Sequence, residues 1–195
     1  VFNPALESKR VNKAEGVDPI VSSANNFYEG VNLAEVDAFY KDKKFSDSIN
    51  PISWGLNSKL VKENGILVEK VWKVGGMYGS SIAKIVEWLE KAITVAETPE
   101  QSEALKLLVE FYRSGDLKIW DAYNIAWVKD VKSSIDVING FIEVYHDPIG
   151  MRANFESAVE INDPEASQRM AIIAKNAQWF EDNSPIDAKF KKKNV

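Results

Sequence analysis

The chain has 195 residues, 45% apolar and 27% charged, and its 24 Lys and Arg against 29 Asp and Glu give a net charge of −5. That length is enough for a real core in one domain, or one and a half. The balance excludes wholesale disorder and argues against general binding to nucleic acid or anionic membrane, which needs a basic face. With no cysteine and a single histidine, His146, these residues cannot build a structural zinc site, a Cys nucleophile, an iron–sulfur cluster or a disulfide framework.

No apolar run approaches the roughly 18 residues of a membrane span. The N-terminus lacks the basic-then-apolar pattern of a signal peptide. The chain begins with Val1 rather than Met, which reads as a processed chain or a piece of a longer one.

Pro19 to Glu29 is expected to form a short helix, with Ile20, Ala24 and Phe27 on one side and Gly30 as its stop. Asn32 with Glu35 is a capping box for a second helix striped by Leu33, Val36 and Tyr40. Lys41 to Asn50 reads as a polar loop. Asn64-Gly65 between Ser58–Glu63 and Ile66–Val74 is a strong hairpin signal. On the second strand Ile66, Val68, Trp72 and Val74 are expected inward, with Glu69 and Lys73 turned to solvent. Gly75-Gly76-Met77-Tyr78-Gly79-Ser80 lacks the Gly-Lys-Ser/Thr ending of a phosphate loop and reads as a plain strand-to-helix turn.

Ile82, Ile85, Val86, Leu89, Ile93 and Ala96 mark a long amphipathic helix. Thr98-Pro99-Glu100-Gln101 caps the next, with Ala104, Leu107, Leu108 and Phe111 inward and Ser114-Gly115 closing it. Asp116 caps a third, carrying Leu117, Trp120, Asn124 and Trp127 along one side. From Ile135 to Tyr145 the period changes to two. Ile138, Gly140, Ile142 and Val144 read as the core face, while Val137, Asn139, Phe141, Glu143 and Tyr145 make a mixed opposite face. Asp147-Pro148-Ile149-Gly150 fits a type I turn, and the chain returns as a strand through Phe155, Ser157, Val159 and Ile161. Asp163-Pro164 caps a last helix with Met170, Ile173, Ala177 and Phe180, and Lys189 to Lys193 forms a basic tail. Helices interleaved with two hairpins indicate an α+β fold with antiparallel pairing.

Chemistry is most legible at Glu143-x-Tyr145 and Glu156. Residues two apart on a strand point the same way, with Cα atoms about 6.5 Å apart, and a hairpin can bring Glu156 to them. Two carboxylates beside a phenol can cradle a small cation such as a peptide's α-ammonium, and the phenol can donate to an oxygen that gains charge. The alternatives are solvated strand carboxylates with an edge aromatic, or a glycosidase-type acid/base pair, which needs a set separation. His146 is expected on the other face from Tyr145, as a turn or surface residue.

Gly140-Phe-Ile-Glu-Val-Tyr-His-Asp-Pro-Ile-Gly150, followed by Arg152 and Phe155-Glu156, resembles a segment of the dipeptidyl peptidase III family of the type Gly-Phe-Ile-Glu-Ser-Tyr-x-Asp-Pro-Phe-Gly. The stretches Trp127-Val128-Lys129-Asp130 and Ile85 to Lys91 extend the match. Asn57 to Gly65, Lys73 to Gly79 and Asn176 to Asp182 are similar to its bacterial, Bacteroides-like branch.

The resemblance implies a zinc exopeptidase that releases N-terminal dipeptides from short peptides, with a barrel-bearing lobe and a helical zinc lobe around a cleft. By resemblance, Glu143 and Glu156 hold the substrate's α-amino group, and Tyr145 binds substrate and supports the tetrahedral intermediate. Asn139, on the face of Glu143 and Tyr145, is assigned to substrate binding with them. The family's His-Glu-x-x-Gly-His and Glu-Glu-x-Arg-Ala-Glu motifs are absent here.

The expectation is therefore an N-terminal piece, inactive alone and holding no metal, with zinc in the full-length parent. Residues 1–163 are mainly the substrate-binding lobe, and 164–195 begin the crossing to the zinc lobe. Its expected partners are short peptides with a free N-terminus and the missing lobe, not nucleic acid or membrane. Family habit implies the cytoplasm, with periplasmic export of the parent left open. An autonomous peptide- or protein-binding module is the alternative.

Overall fold

A computed structural model describes residues 10–44, 49 and 51–195. The chain falls into two compact units, one within Val1–Ser133 and Val137–Ala158, the other made of Ser134–Asp136 and Val159–Val195. In chain order the elements are β1 (Tyr28–Glu29), α1 (Leu33–Lys44), β2 (Ser58–Glu63), β3 (Ile66–Val71), α2 (Gly79–Ile93), α3 (Pro99–Ser114), α4 (Leu117–Trp127), β4 (Ile135–Glu143), β5 (Asn154–Ile161), α5 (Pro164–Lys175) and α6 (Ala177–Asn183). A 3-10 turn follows at Ala188–Phe190. This is the α+β class read from the sequence. Among the described residues the strands form a three-stranded sheet and a two-stranded one, and neither closes into a barrel. No described helix is long and apolar enough to cross a membrane.

Local signals set most boundaries. Asn32 Oδ1 accepts from Glu35 N–H at 3.0 Å while Glu35 accepts from Asn32 N–H at 3.1 Å, the reciprocal capping box that starts α1. Asn64 and Gly65 both take positive φ, 51° and 82°, the primed turn whose twist suits β2 and β3. Thr98 Oγ1 accepts from Gln101 N–H at 3.0 Å to open α3. At the far end Gly115, at φ 74°, donates its N–H to Phe111 O at 2.7 Å. The glycine-rich 75–80 stretch is the turn that enters α2.

Three expectations about local structure change. The helix from Pro19 is only a single turn, held by Asp18, whose carboxylate accepts from Ile20 and Val21 N–H. Asn25 then accepts from Phe27 N–H, and the chain leaves as β1, which pairs parallel to β2 through Tyr28 opposite Leu60. The polar Lys41–Asn50 stretch is helical as far as Lys44, and residues 45–48 and 50 of it lie outside the described residues. The last helix is two, because Asn176 takes a non-helical conformation and its side-chain amide donates to Ile172 O at 2.8 Å, competing with the helical ladder. Neither α5 nor α6 buries a side chain, and Met170, Ile173, Trp179 and Phe180 are exposed.

In the first unit α3 packs against both α2 and α4. Its buried set is therefore wider than one stripe: Ala104, Leu105, Leu108, Val109, Phe111 and Tyr112. A second, smaller core joins Ile20, Val31, Val36, Tyr40 and Leu60 on the α1 side. β2 buries side chains on both faces, while on β3 Ile66, expected inward, is exposed beside the turn and Glu69, expected toward solvent, is mostly covered. Its carboxylate accepts from Tyr40 O–H and from Ser58 O–H (2.7 Å) and meets Lys43 Nζ at 3.5 Å.

β4 is likewise packed on both sides. Phe141 packs on Trp72 with centroids 4.9 Å apart, so the mixed face is core at Asn139 and Phe141 and opens to solvent towards Glu143 and Tyr145. Gly140 lies under Trp120, and a Cβ at that glycine would sit 2.6 Å from Trp120 Cζ3. Trp120 is itself wedged between Phe111 and Tyr123, at 4.9 and 5.2 Å. Gly140→Ala is expected to lower unfolding stability by about 1–3 kcal/mol through overpacking, read as an earlier urea midpoint at unchanged slope.

Candidate functional site

The hairpin and the turn that leaves it carry the candidate residues. Asn139 Nδ2 donates to Ser157 Oγ at 3.0 Å, and Phe141 meets Phe155 edge-on at 5.7 Å. One index rises by two as the other falls by two, so β5 runs antiparallel to β4 here. Ser157 and Phe155 face Asn139 and Phe141, so the pleat turns Glu156 to the opposite face from Asn139.

Asn139 is buried, and its Oδ1 accepts from Tyr112 O–H. Both ends of its amide are thus taken up inside the protein. Glu143 closes β4, half-buried, and Glu156 is half-buried on β5. Neither carboxylate has a hydrogen-bond or ion-pair partner among the described residues. The same holds for the Tyr145 hydroxyl, and Tyr145 is 61% exposed.

Tyr145 and His146 are the two central residues of a tight turn closed by Asp147 N–H donating to Val144 O at 3.0 Å. Because a turn and not a strand carries them, the two rings touch, centroids 4.4 Å apart at 73°, instead of facing apart as strand alternation would have them. Asn154 Nδ2 donates to His146 Nδ1, and Arg10 Nη1 reaches Nε2 at 3.2 Å. A polar cavity of about 410 Å³ lies beside them, lined by Arg10, Asn25, Asn26, Phe27, His146 and Asn154. A larger cleft of about 620 Å³ has Ile142 and Val144, the neighbours of Glu143, in its wall with Trp54, Trp120, Phe141 and Met151.

Beneath the turn is a network the sequence reading missed. Asp147, 1% exposed, accepts from Ile149, Met151 and Arg152 N–H at 3.1, 2.9 and 2.7 Å. Its carboxylate also accepts from Tyr28 O–H, at 2.8 and 3.0 Å to the two oxygens. Arg152 is 0% exposed. It donates from Nη1 to Tyr28 Oη at 2.9 Å and from Nη2 to Tyr40 Oη at 2.8 Å, with its guanidinium 4.4 Å from the Tyr28 ring centre. Each phenol accepts from the guanidinium and donates to a carboxylate, Tyr28 to Asp147 and Tyr40 to Glu69. Asp147-Pro-Ile-Gly150 is recognisable as a turn, but nothing in the local sequence ties Tyr28 to it.

Burial pushes the Tyr28 and Tyr40 phenols well above the usual range, against the pull of Arg152 and with the added push of Asp147 and Glu69 respectively. Burial, with Tyr123 adding, does the same to Tyr112. Among the described residues no three His, Asp or Glu side chains gather as metal ligands, and His146 is the chain's one histidine. These residues do not fit a zinc site.

The family model described as peptidase family M49 matches residues 52–195. Dipeptidyl peptidase 3 of Dictyostelium discoideum is 29% identical over 119 residues, covering 61% of this chain and 17% of that protein. The solved structure of dipeptidyl-peptidase III from Corallococcus sp. strain EGB shares its fold at a TM-score of 0.58 and 23% identity, covering 92% of this chain and 32% of that one. DPP III from Caldithrix abyssi aligns at a TM-score of 0.62 and 21% identity, covering 95% of this chain and 35% of that one. The chain thus spans about a sixth of the curated relative and a third of the solved ones.

Raised phenol pKa values fix the sign of an alkaline response. Native tyrosines that keep their protons while unfolded ones lose them near 10 make stability fall as pH rises above 10. Absorbance at 295 nm is expected to show Tyr28, Tyr40 and Tyr112 silent until far-UV circular dichroism reports global unfolding. Smooth titration of all six tyrosines in the folded protein would contradict the network.

Proposed function

This chain belongs to peptidase family M49, and on that footing we propose that it is the non-catalytic, substrate-binding part of a zinc dipeptidyl peptidase acting on short peptides with a free N-terminus. The observation that carries the reading is the pair of unpartnered polar groups where β4 gives way to the turn, the Glu143 carboxylate and the Tyr145 hydroxyl; Glu156, expected beside them, lies on the hairpin's other face and does not join this pair. The half-buried Glu143 carboxylate, without a cation among the described residues, is poised for an external one, and a peptide's α-ammonium gains charge-assisted hydrogen bonds from it. The Tyr145 O–H, free of any acceptor among the described residues, can donate to a carbonyl oxygen as it gains negative charge. Asn139 serves the site by holding β4 to β5 and to Tyr112. The zinc that the family uses is supplied, in this reading, outside these 195 residues.

In a polypeptide that carries this segment together with the family's zinc motifs, Tyr145→Phe is expected to lower kcat by about 10²-fold, with a smaller effect on KM. An unchanged kcat would remove the oxyanion role. Glu143→Gln is expected to weaken substrates with a free amine and to spare N-acetylated peptides; equal losses on both would count against amine recognition. The 195-residue chain with added zinc is expected to release no dipeptide from a dipeptidyl-arylamide, and measurable release would overturn its non-catalytic assignment.

A further inference from the structure

We propose that Asp147, Tyr28 and Arg152 are positioning residues for Tyr145, fixing its exposed phenol on a doubly stapled turn. The inference rests on the reading of Tyr145 as the phenol that meets substrate. Tyr145 stands at the second position of the turn closed by Asp147 N–H on Val144 O. Its upstream side is anchored directly, because β4 ends at Glu143 and Val144 packs against the main core. Its downstream side is held at the surface by His146, which Asn154 and Arg10 reach, and in the interior by Asp147, on which four donors converge.

A second turn starts on Asp147 itself, closed by Gly150 N–H on Asp147 O at 3.1 Å. Three main-chain N–H groups from this second turn and beyond it converge on the Asp147 carboxylate. Together they leave the carboxylate no freedom to turn, and so fix the corner that both turns share. The remaining donor, Tyr28 O–H, comes from β1 and ties that corner to the three-stranded sheet.

The Tyr28 ring is in turn held under the Arg152 guanidinium, whose other arm ends on Tyr40 of α1. Ala153 N–H then donates to Leu56 O at 2.9 Å, closing the far end of the segment. A surface phenol on a free loop samples many positions, and a group that must meet a developing charge has to be held to about 0.5 Å. Here an exposed side chain stands on a buried, charged foundation. The arrangement costs desolvation of a guanidinium and a carboxylate, which a surface turn with no positional task does not require.

Tyr28→Phe tests this with the least disturbance, since it keeps the ring under Arg152 and deletes only the hydroxyl. In the 195-residue chain, the amide order parameters of Tyr145 and His146 are expected to drop from the rigid range near about 0.85 towards about 0.6, while those of α3 stay unchanged. Unchanged values at Tyr145 and His146 would overturn the inference. In the longer, zinc-bearing polypeptide, Tyr28→Phe is expected to lower kcat by about 10- to 100-fold with little change in KM. The same substitution in a Tyr145→Phe background is expected to cost nothing more, because its effect acts through that phenol.

An equal fractional loss in both backgrounds would reduce Tyr28 to a purely structural part and overturn the inference. If Tyr145→Phe alone leaves kcat unchanged, the proposed function of Tyr145 fails, and the order parameters still decide whether the network positions it. Asp147→Asn, which replaces the charged acceptor at the shared corner, is expected to move the same order parameters further in the same direction. No such movement would also count against the inference.

Discussion

The interaction on which most of the first unit depends is a guanidinium withdrawn completely from water. Withdrawing a guanidinium from water is costly unless its N–H groups are answered, so the fold must supply partners for Arg152. No carboxylate among the described residues reaches it directly. Two tyrosine hydroxyls stand between, each accepting from an arm of the guanidinium and donating to a carboxylate, Asp147 on one side and Glu69 on the other. Lys43 lies against Glu69 as well, at 3.5 Å, so two cations and two carboxylates share the cluster. A single residue thereby brings together β1, α1, β3 and the turn after β4, elements that no stretch of sequence connects.

The electrostatic design also explains the burial of the phenols. A tyrosine that both accepts from an arginine and donates to a carboxylate is useful only while it keeps its proton, and the burial of Tyr28 and Tyr40 secures that. Removing one hydroxyl leaves a buried donor and a buried acceptor facing each other across a gap, which costs more than the bond itself contributed. The aromatic lattice on the other side of the unit works by shape instead. Trp72 and Phe155 pack against Phe141 on one face of β4, tilted and edge-on, while Trp120 presses on Gly140 from the other. The strand ending in Glu143 is thus clamped on both faces, and the carboxylate projects from a rigid edge.

Fold class, the two hairpins and the capped helix starts were legible in the sequence. What was not legible is instructive residue by residue. Alternation marked Glu69 as solvent-facing because a charged residue on a strand ordinarily is, and the covering helix that supplies Tyr40 lies 29 positions upstream. The mixed face of β4 was unreadable because Asn139 and Phe141 are both core, the amide satisfied by Tyr112 and Ser157. His146 was assigned away from Tyr145 by strand alternation, which ceases to apply once the chain enters a turn.

The sequence by itself determined those boundaries whose instructions act over three or four residues: Asn32 with Glu35, Asn64-Gly65, Thr98-Pro99, Ser114-Gly115, Asp163-Pro164. It also determined that these residues alone lack the nitrogen and sulfur ligands of a zinc site. Only the tertiary structure decided which polar residues are buried and who answers them. Tyr28 and Asp147 meet across 119 positions, and Tyr40 and Arg152 across 112. Partnerships of that kind follow from how sheets and helices stack, and desolvation makes them obligatory once the stacking has brought the charges inside.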